Sequence, residues 1–211
     1  TVRRIVTGIY IYLVWLVGYA LVFRLLTGPL PHRIDSWTDL ARQVVVPNTT
    51  LWYVFALVVY LVAAASLRRL PSWLVIGGAF AVSLACEVLL PGSPQATKIG
   101  KNWIYFVLGS RAAPLLARVD STASWTRLCG LVLAAVAAWH VRDLLPHSTW
   151  VRAGHGIAFH VVLLAAVVVG MALVCRWQQV RRPLASLGRR TLVVYLIHPV
   201  FLYLWLTVAA A

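Results

Sequence analysis

The chain has 211 residues, 62% of them hydrophobic and 11% charged, and its 19 Lys and Arg against 5 Asp and Glu leave a formal charge of +14. A soluble domain carries about 25% charged residues, so this composition excludes a water-soluble enzyme, a disordered tail and a disulfide-stapled secreted module. The basic residues sit in short tufts between long apolar runs rather than on one soluble face, which argues against a nucleic-acid partner and for a polytopic membrane protein.

Crossing the hydrocarbon core takes roughly 20 apolar residues. Seven stretches have that character: about 5–26, 49–67, 72–90, 102–118, 126–145, 155–175 and 190–209. Their apolar residues run continuously instead of alternating, so the expectation is helices and not a barrel. The predicted fold class is an all-α polytopic transmembrane bundle of about seven spanning helices, with residues 1–211 forming a single, incomplete membrane-embedded domain.

The first stretch follows Arg3-Arg4 and ends before Gly28-Pro29-Leu30-Pro31. Residues 29–47 then read as the longest outer loop, with His32, Asp35, Asp39 and Arg42, and Asn48-Thr49-Thr50 is a formal glycosylation sequon. Pro47, Pro71, Pro91-Gly92-Ser93-Pro94, Pro146 and Pro183 punctuate the later breaks. The fourth stretch is interrupted by Arg111 and Pro114. Residues 176–190 read as an inner loop in which Arg181-Arg182 and Arg189-Arg190 flank Pro183, and the last stretch carries His198-Pro199. Cys86, Cys129 and Cys175 lie in apolar runs and match no metal-ligand spacing, so they read as small core residues. The dominance of arginine over lysine, beside much alanine and valine, points to a GC-rich bacterial genome and hence a bacterial cytoplasmic membrane.

Orientation follows from the basic residues. One side holds Arg3, Arg4, Arg68, Arg69, Arg111, Arg118, Arg127, Arg176, Arg181, Arg182, Arg189 and Arg190; the other holds Arg24, Arg33, Arg42, Lys98, Lys101, Arg142 and Arg152. The positive-inside rule places the first, larger set in the cytoplasm.

Polar residues inside the membrane are costly and mark candidate sites. Glu87, the only acid within a span, is either a functional carboxylate on an inner cavity or the partner of an outer basic residue such as Lys98. His198 lies within the last span, where the following proline frees backbone carbonyls and suits a cavity lining; a structural hydrogen-bonding role is its alternative. His140 and His160 read as lone structural histidines, and His32, His147 and His155 as loop residues. No His and acid cluster has zinc spacing, so no metal is expected, and no G-x-S-x-G elbow is present. The inner arginines could hold phosphates through their guanidinium forks, or could serve only topology and lipid headgroups.

Three segments resemble the acyltransferase-3 family, the polytopic O-acyltransferases that include fucose 4-O-acetylase-like proteins. Leu51-Trp52-Tyr53-Val54-Phe55-Ala56-Leu57 resembles the L-W-[FY]-x-x-A-L helix entry. Asn102-Trp103-Ile104-Tyr105-Phe106-Val107-Leu108-Gly109 resembles the aromatic F-x-x-x-G helix. Leu187-Gly188-Arg189-Arg190-Thr191-Leu192-Val193-Val194-Tyr195-Leu196-Ile197-His198-Pro199 resembles L-G-x-x-S-L-x-I-Y-L-x-H, with Thr191 in place of serine. Arg3-Arg4 is similar to the basic pair before an early family helix.

The resemblance implies transfer of an acyl group, commonly acetyl from acetyl-CoA, to a hydroxyl of a sugar or surface glycan. The donor is a substrate, and no bound cofactor is implied. Arg3, Arg4, Arg189 and Arg190 would face the donor phosphates, while His198, Tyr195, Trp52 and Glu87 are the candidate cavity residues. The family's catalytic histidine lies on its first helix, and no residue here matches it; the chain resembles the family from about the third helix to before the tenth, and is expected to be inactive alone. A catalytically inactive scaffold and a small membrane transporter are the alternative readings; a transporter should show repeat symmetry, which is not found. The expected partners are the lipid bilayer, acyl-CoA and a hydroxyl acceptor. The topology has a direct test: a cysteine at position 36 should be labelled on intact cells and one at position 186 should not, and the reverse pattern would overturn the orientation.

Overall fold

The computed structural model describes residues 2–25, 34, 36–47, 51–90, 94–111, 118–119 and 121–209. His32, Asp35, the sequon at Asn48, Pro114 and the side chains of Arg189 and His198 lie outside the described residues. The elements are all helical: α1 (Val2–Leu25), α2 (Trp37–Val45), α3 (Trp52–Ser66), α4 (Ser72–Leu89), α5 (Pro94–Arg111), α6 (Trp125–Val141), a 3-10 turn (Arg142–Leu144), α7 (Thr149–Val174) and α8 (Gln178–Ala209). No strand occurs among the described residues, and the all-α expectation holds.

The expected apolar stretches fall on α1, α3, α4, α6, α7 and the second half of α8. Among the described residues, three helices, over Val2–Val22, Ser72–Leu89 and Thr149–Val174, are long and apolar enough to cross a bilayer; Trp52–Ser66 is apolar but shorter. The fourth stretch begins eight residues earlier than the sequence pattern suggests, at Pro94. Proline suits a first helical position because its ring presets φ and the N–H it lacks would have no intrahelical partner there.

Two further boundaries differ from the sequence reading. Residues 29–47 are not wholly loop, because α2 forms within them. Its cap is local: Ser36 Oγ accepts from the Asp39 N–H at 3.0 Å and donates to the Asp39 carboxylate at 2.6 Å, a side-chain cap worth about 1 kcal/mol. Residues 178–190 are also helical, since α8 runs unbroken through Pro183 and Pro199. Each proline removes one i→i−4 bond, a small loss within a helix of 32 residues.

The chain divides into two compact units, one of Thr1–Arg69 with Arg189–Ala211 and one of Leu70–Gly188. The first unit is centred on Tyr12, Leu16, Tyr19, Ile34, Leu51, Val54 and Leu196, all buried. Helices α1 and α3 approach closely at Gly8, where an added Cβ would lie 2.8 Å from Val58 Cγ2. Tyr12 stacks at a tilt on Phe55, with ring centroids 5.7 Å apart, and donates its hydroxyl to the Gln43 carbonyl, tying α1 to α2. Tyr19 donates to the Leu196 carbonyl at 2.7 Å, tying α1 to α8. Along α1, Val6, Tyr10 and Leu21 stay 59%, 67% and 59% exposed. A water-facing helix would not carry such a stripe, but a lipid-facing one does.

The second unit contains two antiparallel helix pairs. In α4–α5, Ser83 Oγ donates to the Gly100 carbonyl at 2.9 Å and accepts from the Ile104 N–H at 3.3 Å, and Thr97 Oγ1 donates to the Leu90 carbonyl at 2.6 Å. In α6–α7, Trp139 lies 5.9 Å from Phe159, and Arg176 donates to the Ala123 carbonyl at 2.8 Å at the other end. Helix α4 also packs on α7.

Gly100 sets the α4–α5 distance: a Cβ there would sit 2.2 Å from Cys86 Sγ and 2.8 Å from Cys86 Cβ. Gly100→Val should therefore separate the two helices and destabilise the protein by about 1–3 kcal/mol, the range for overpacking, read as a lower thermal midpoint in detergent. Gly77→Val, in open space on α4, should shift it far less, and equal shifts would refute the packing role of Gly100.

Candidate functional site

The second unit holds a cavity of about 450 Å³ where α4 ends, α5 begins, α6 ends and α7 begins. Its lining includes Glu87, Lys101, Arg142, Arg152, His155 and His160, with Trp139, Phe159 and Thr149 beside them. Small-molecule sites fall in the range of about 300–1,000 Å³, and a group of charged side chains in an otherwise apolar helical unit marks this one.

Glu87 is ion-paired with Lys101 at 3.0 Å, the two side chains being 29% and 38% exposed. The pairing alternative for Glu87 is thus the observed one, with Lys101 as a partner. The antiparallel register decides this. Ser83 faces Ile104 and Leu90 faces Thr97, so a residue at 87 meets positions 100–101.

On α7, the face that carries Arg152, His155, Gly156, Phe159 and His160 steps by three and four residues, the spacing of one helical stripe. His155 belongs to this helix and not to a loop, because α7 begins at Thr149, six residues before the expected start. Its Nε2 is buried and has no hydrogen-bond partner among the described residues. His160 Nδ1 lies 2.6 Å from the Gly156 carbonyl. A carbonyl only accepts, so Nδ1 carries the proton, and in the neutral ring Nε2 keeps a lone pair for a hydroxyl. Arg152 Nη2 donates to His147 Nδ1 at 2.5 Å. Tyr105 meets the His160 ring edge-on at 6.2 Å, and its buried hydroxyl has no partner among the described residues.

The other expected cavity residues lie in the first unit. Tyr195 and Tyr53 are 5.1 Å apart at a tilt, and Tyr53 meets Trp52 edge-on at 6.1 Å, so these two expected residues join one aromatic group through Tyr53. Glu87 belongs to the second unit. Of the expected phosphate ligands, Arg3, Arg4 and Arg190 are exposed in the first unit. The sequence reading did not single out Lys101, Arg142, Arg152, His155 or His160 as a site. The signal available was the periodic placement of Arg152, His155 and His160 on α7.

The ion pair gives a stability prediction. Glu87→Gln removes the Lys101 partner, and because both side chains are about one-third exposed the cost should be about 1 kcal/mol or less. Thermal unfolding of the purified protein measures it, and a drop as large as that of Gly100→Val would show that the pair holds α4 and α5 together.

The family model described as an acyltransferase domain matches residues 1–210. No curated protein and no solved structure matches the chain. A match over this whole length, on an all-helical chain with lipid-facing apolar stripes, makes the protein a member of the acyltransferase-3 family of membrane acyltransferases.

Proposed function

We propose that this protein is a multi-pass O-acyltransferase that moves an acyl group, acetyl in the simplest case, from acyl-CoA to a hydroxyl of a sugar or surface glycan, and that the second-unit cavity receives the acceptor. The family match supports acyl transfer, and the cavity is the single observation that supports a polyhydroxyl acceptor. A sugar hydroxyl both donates and accepts hydrogen bonds. The ring nitrogen Nε2 of His160, the Thr149 hydroxyl and the Glu87–Lys101 pair provide complementary groups along one cavity lining.

In the reaction the acceptor oxygen bonds to the thioester carbonyl carbon, the carbon–sulfur bond breaks, and the hydroxyl proton leaves by way of a base for the departing thiolate. His160 orients the hydroxyl. The positive-inside orientation puts the cavity at the outer end of α4 and α7, where a glycan of a bacterial cell surface is met, and puts Arg3, Arg4, Arg189 and Arg190 on the cytoplasmic side, where acyl-CoA is available. Guanidinium forks bind phosphate oxygens in pairs.

Membranes carrying this sequence within its full-length protein, supplied with labelled acetyl-CoA and glycan, should form a base-labile ester, whereas membranes carrying the 211-residue chain alone should form none. Arg190→Gln should raise the donor KM about 10- to 150-fold, the worth of one charge-assisted contact, and leave the acceptor KM within about twofold. Absence of any ester with the full-length protein would refute acyl transfer, and an unchanged donor KM would remove Arg190 from donor binding.

A further inference from the structure

We infer that the second-unit cavity holds an acidic group of its acceptor, a phosphate or carboxylate, between Arg142 and Arg152; the inference rests on the reading of this cavity as the acceptor pocket. The charge balance of the lining carries it. Lys101, Arg142 and Arg152 are cationic, and Glu87 is the one acid among the lining residues. Lys101 already neutralises Glu87 at 3.0 Å. Arg152 has an imidazole, His147, and not a carboxylate as its hydrogen-bond partner, which leaves its charge uncompensated and its remaining N–H donors available. Arg142 pairs with no carboxylate among the described residues. Asp143, next in sequence, is exposed and does not line the cavity.

The cavity thus has the excess of two guanidinium groups, at the end of a helical unit whose body is apolar. An oxyanion with several acceptor oxygens is the chemical complement of two such forks. The buried, partnerless Nε2 of His155 adds a further polar atom to the same lining. A neutral sugar would leave both exposed guanidinium groups without an anionic partner, whereas an oxyanion can accept from both forks. The anion has two possible sources: an acid carried by a soluble or glycan-borne sugar, or the phosphate of a lipid headgroup.

The test uses the full chain in discs of phosphatidylcholine, titrated calorimetrically with glucose 6-phosphate and with glucose. Glucose 6-phosphate should bind at least tenfold more tightly, and added NaCl should weaken it. Arg142→Gln and Arg152→Gln should each weaken it by about 10- to 100-fold, and Arg152→Lys should recover part of the loss. Discs containing phosphatidylglycerol separate the sources. Competition with glucose 6-phosphate assigns the group to a lipid headgroup, and no competition assigns it to a sugar-borne acid; both uphold the acidic-group site. Equal affinity for the two sugars, or wild-type affinity in both glutamine variants with helicity retained, overturns it. If phosphate binds as expected but acyl transfer is insensitive to Arg142→Gln and Arg152→Gln, the acceptor-pocket reading fails while the anion site stands.

Discussion

The close approach of α4 and α5 at Gly100 is the constraint on which the second unit depends. With a hydrogen in place of a side chain, Gly100 lets Cys86 pack against its backbone. That approach brings Ser83 within hydrogen-bonding distance of both the Gly100 carbonyl and the Ile104 amide. The buried Ser83 hydroxyl is thereby satisfied as donor and acceptor, which matters most where no water can replace a missing partner. The same register carries Lys101 to Glu87 and so sets the polar wall that α4 and α5 contribute to the cavity.

From there the electrostatics follow. A lone carboxylate near an apolar bundle would be costly, and so would a lone ammonium; opposed at 3.0 Å they offset each other. Their mutual neutralisation leaves Arg142 and Arg152 as the excess charge. In the first unit, polar chemistry takes another form. Tyrosine hydroxyls on α1 satisfy backbone carbonyls of α2 and α8, so aromatic side chains there serve packing and hydrogen bonding together.

Membership of an acyltransferase family and possession of a polar cavity are separate facts, and they agree physically. Acyl transfer to a hydroxyl needs a place where a polar acceptor is held away from bulk water. A chain whose helices expose apolar stripes offers few such places, and the cavity at the α4–α7 end gathers charged and polar side chains in one of them.

The sequence by itself determined the class of the molecule. Its scarcity of charge and its long apolar runs sufficed for an all-helical membrane protein, because composition and periodicity respond to the solvent that surrounds each helix; the acyltransferase reading came only from the resemblance of the segments around Trp52, Trp103 and His198 to a family. Boundaries were less legible. The cap at Ser36 is a local pattern too short to stand out in a predicted loop, and the helix through Pro183 persists because neighbouring backbone bonds carry it past the missing donor. Glu87 was legible as a residue needing a partner, but Lys101 was not legible as that partner: it is brought there by the register that Gly100 and Ser83 impose. Arg142, Arg152, His155 and His160 form one site only through tertiary structure. They come from the end of α6 and from one face of α7, and what joins them to Glu87 and Lys101 is the packing of α4 on α7, a contact between residues too distant along the chain for any local pattern to record.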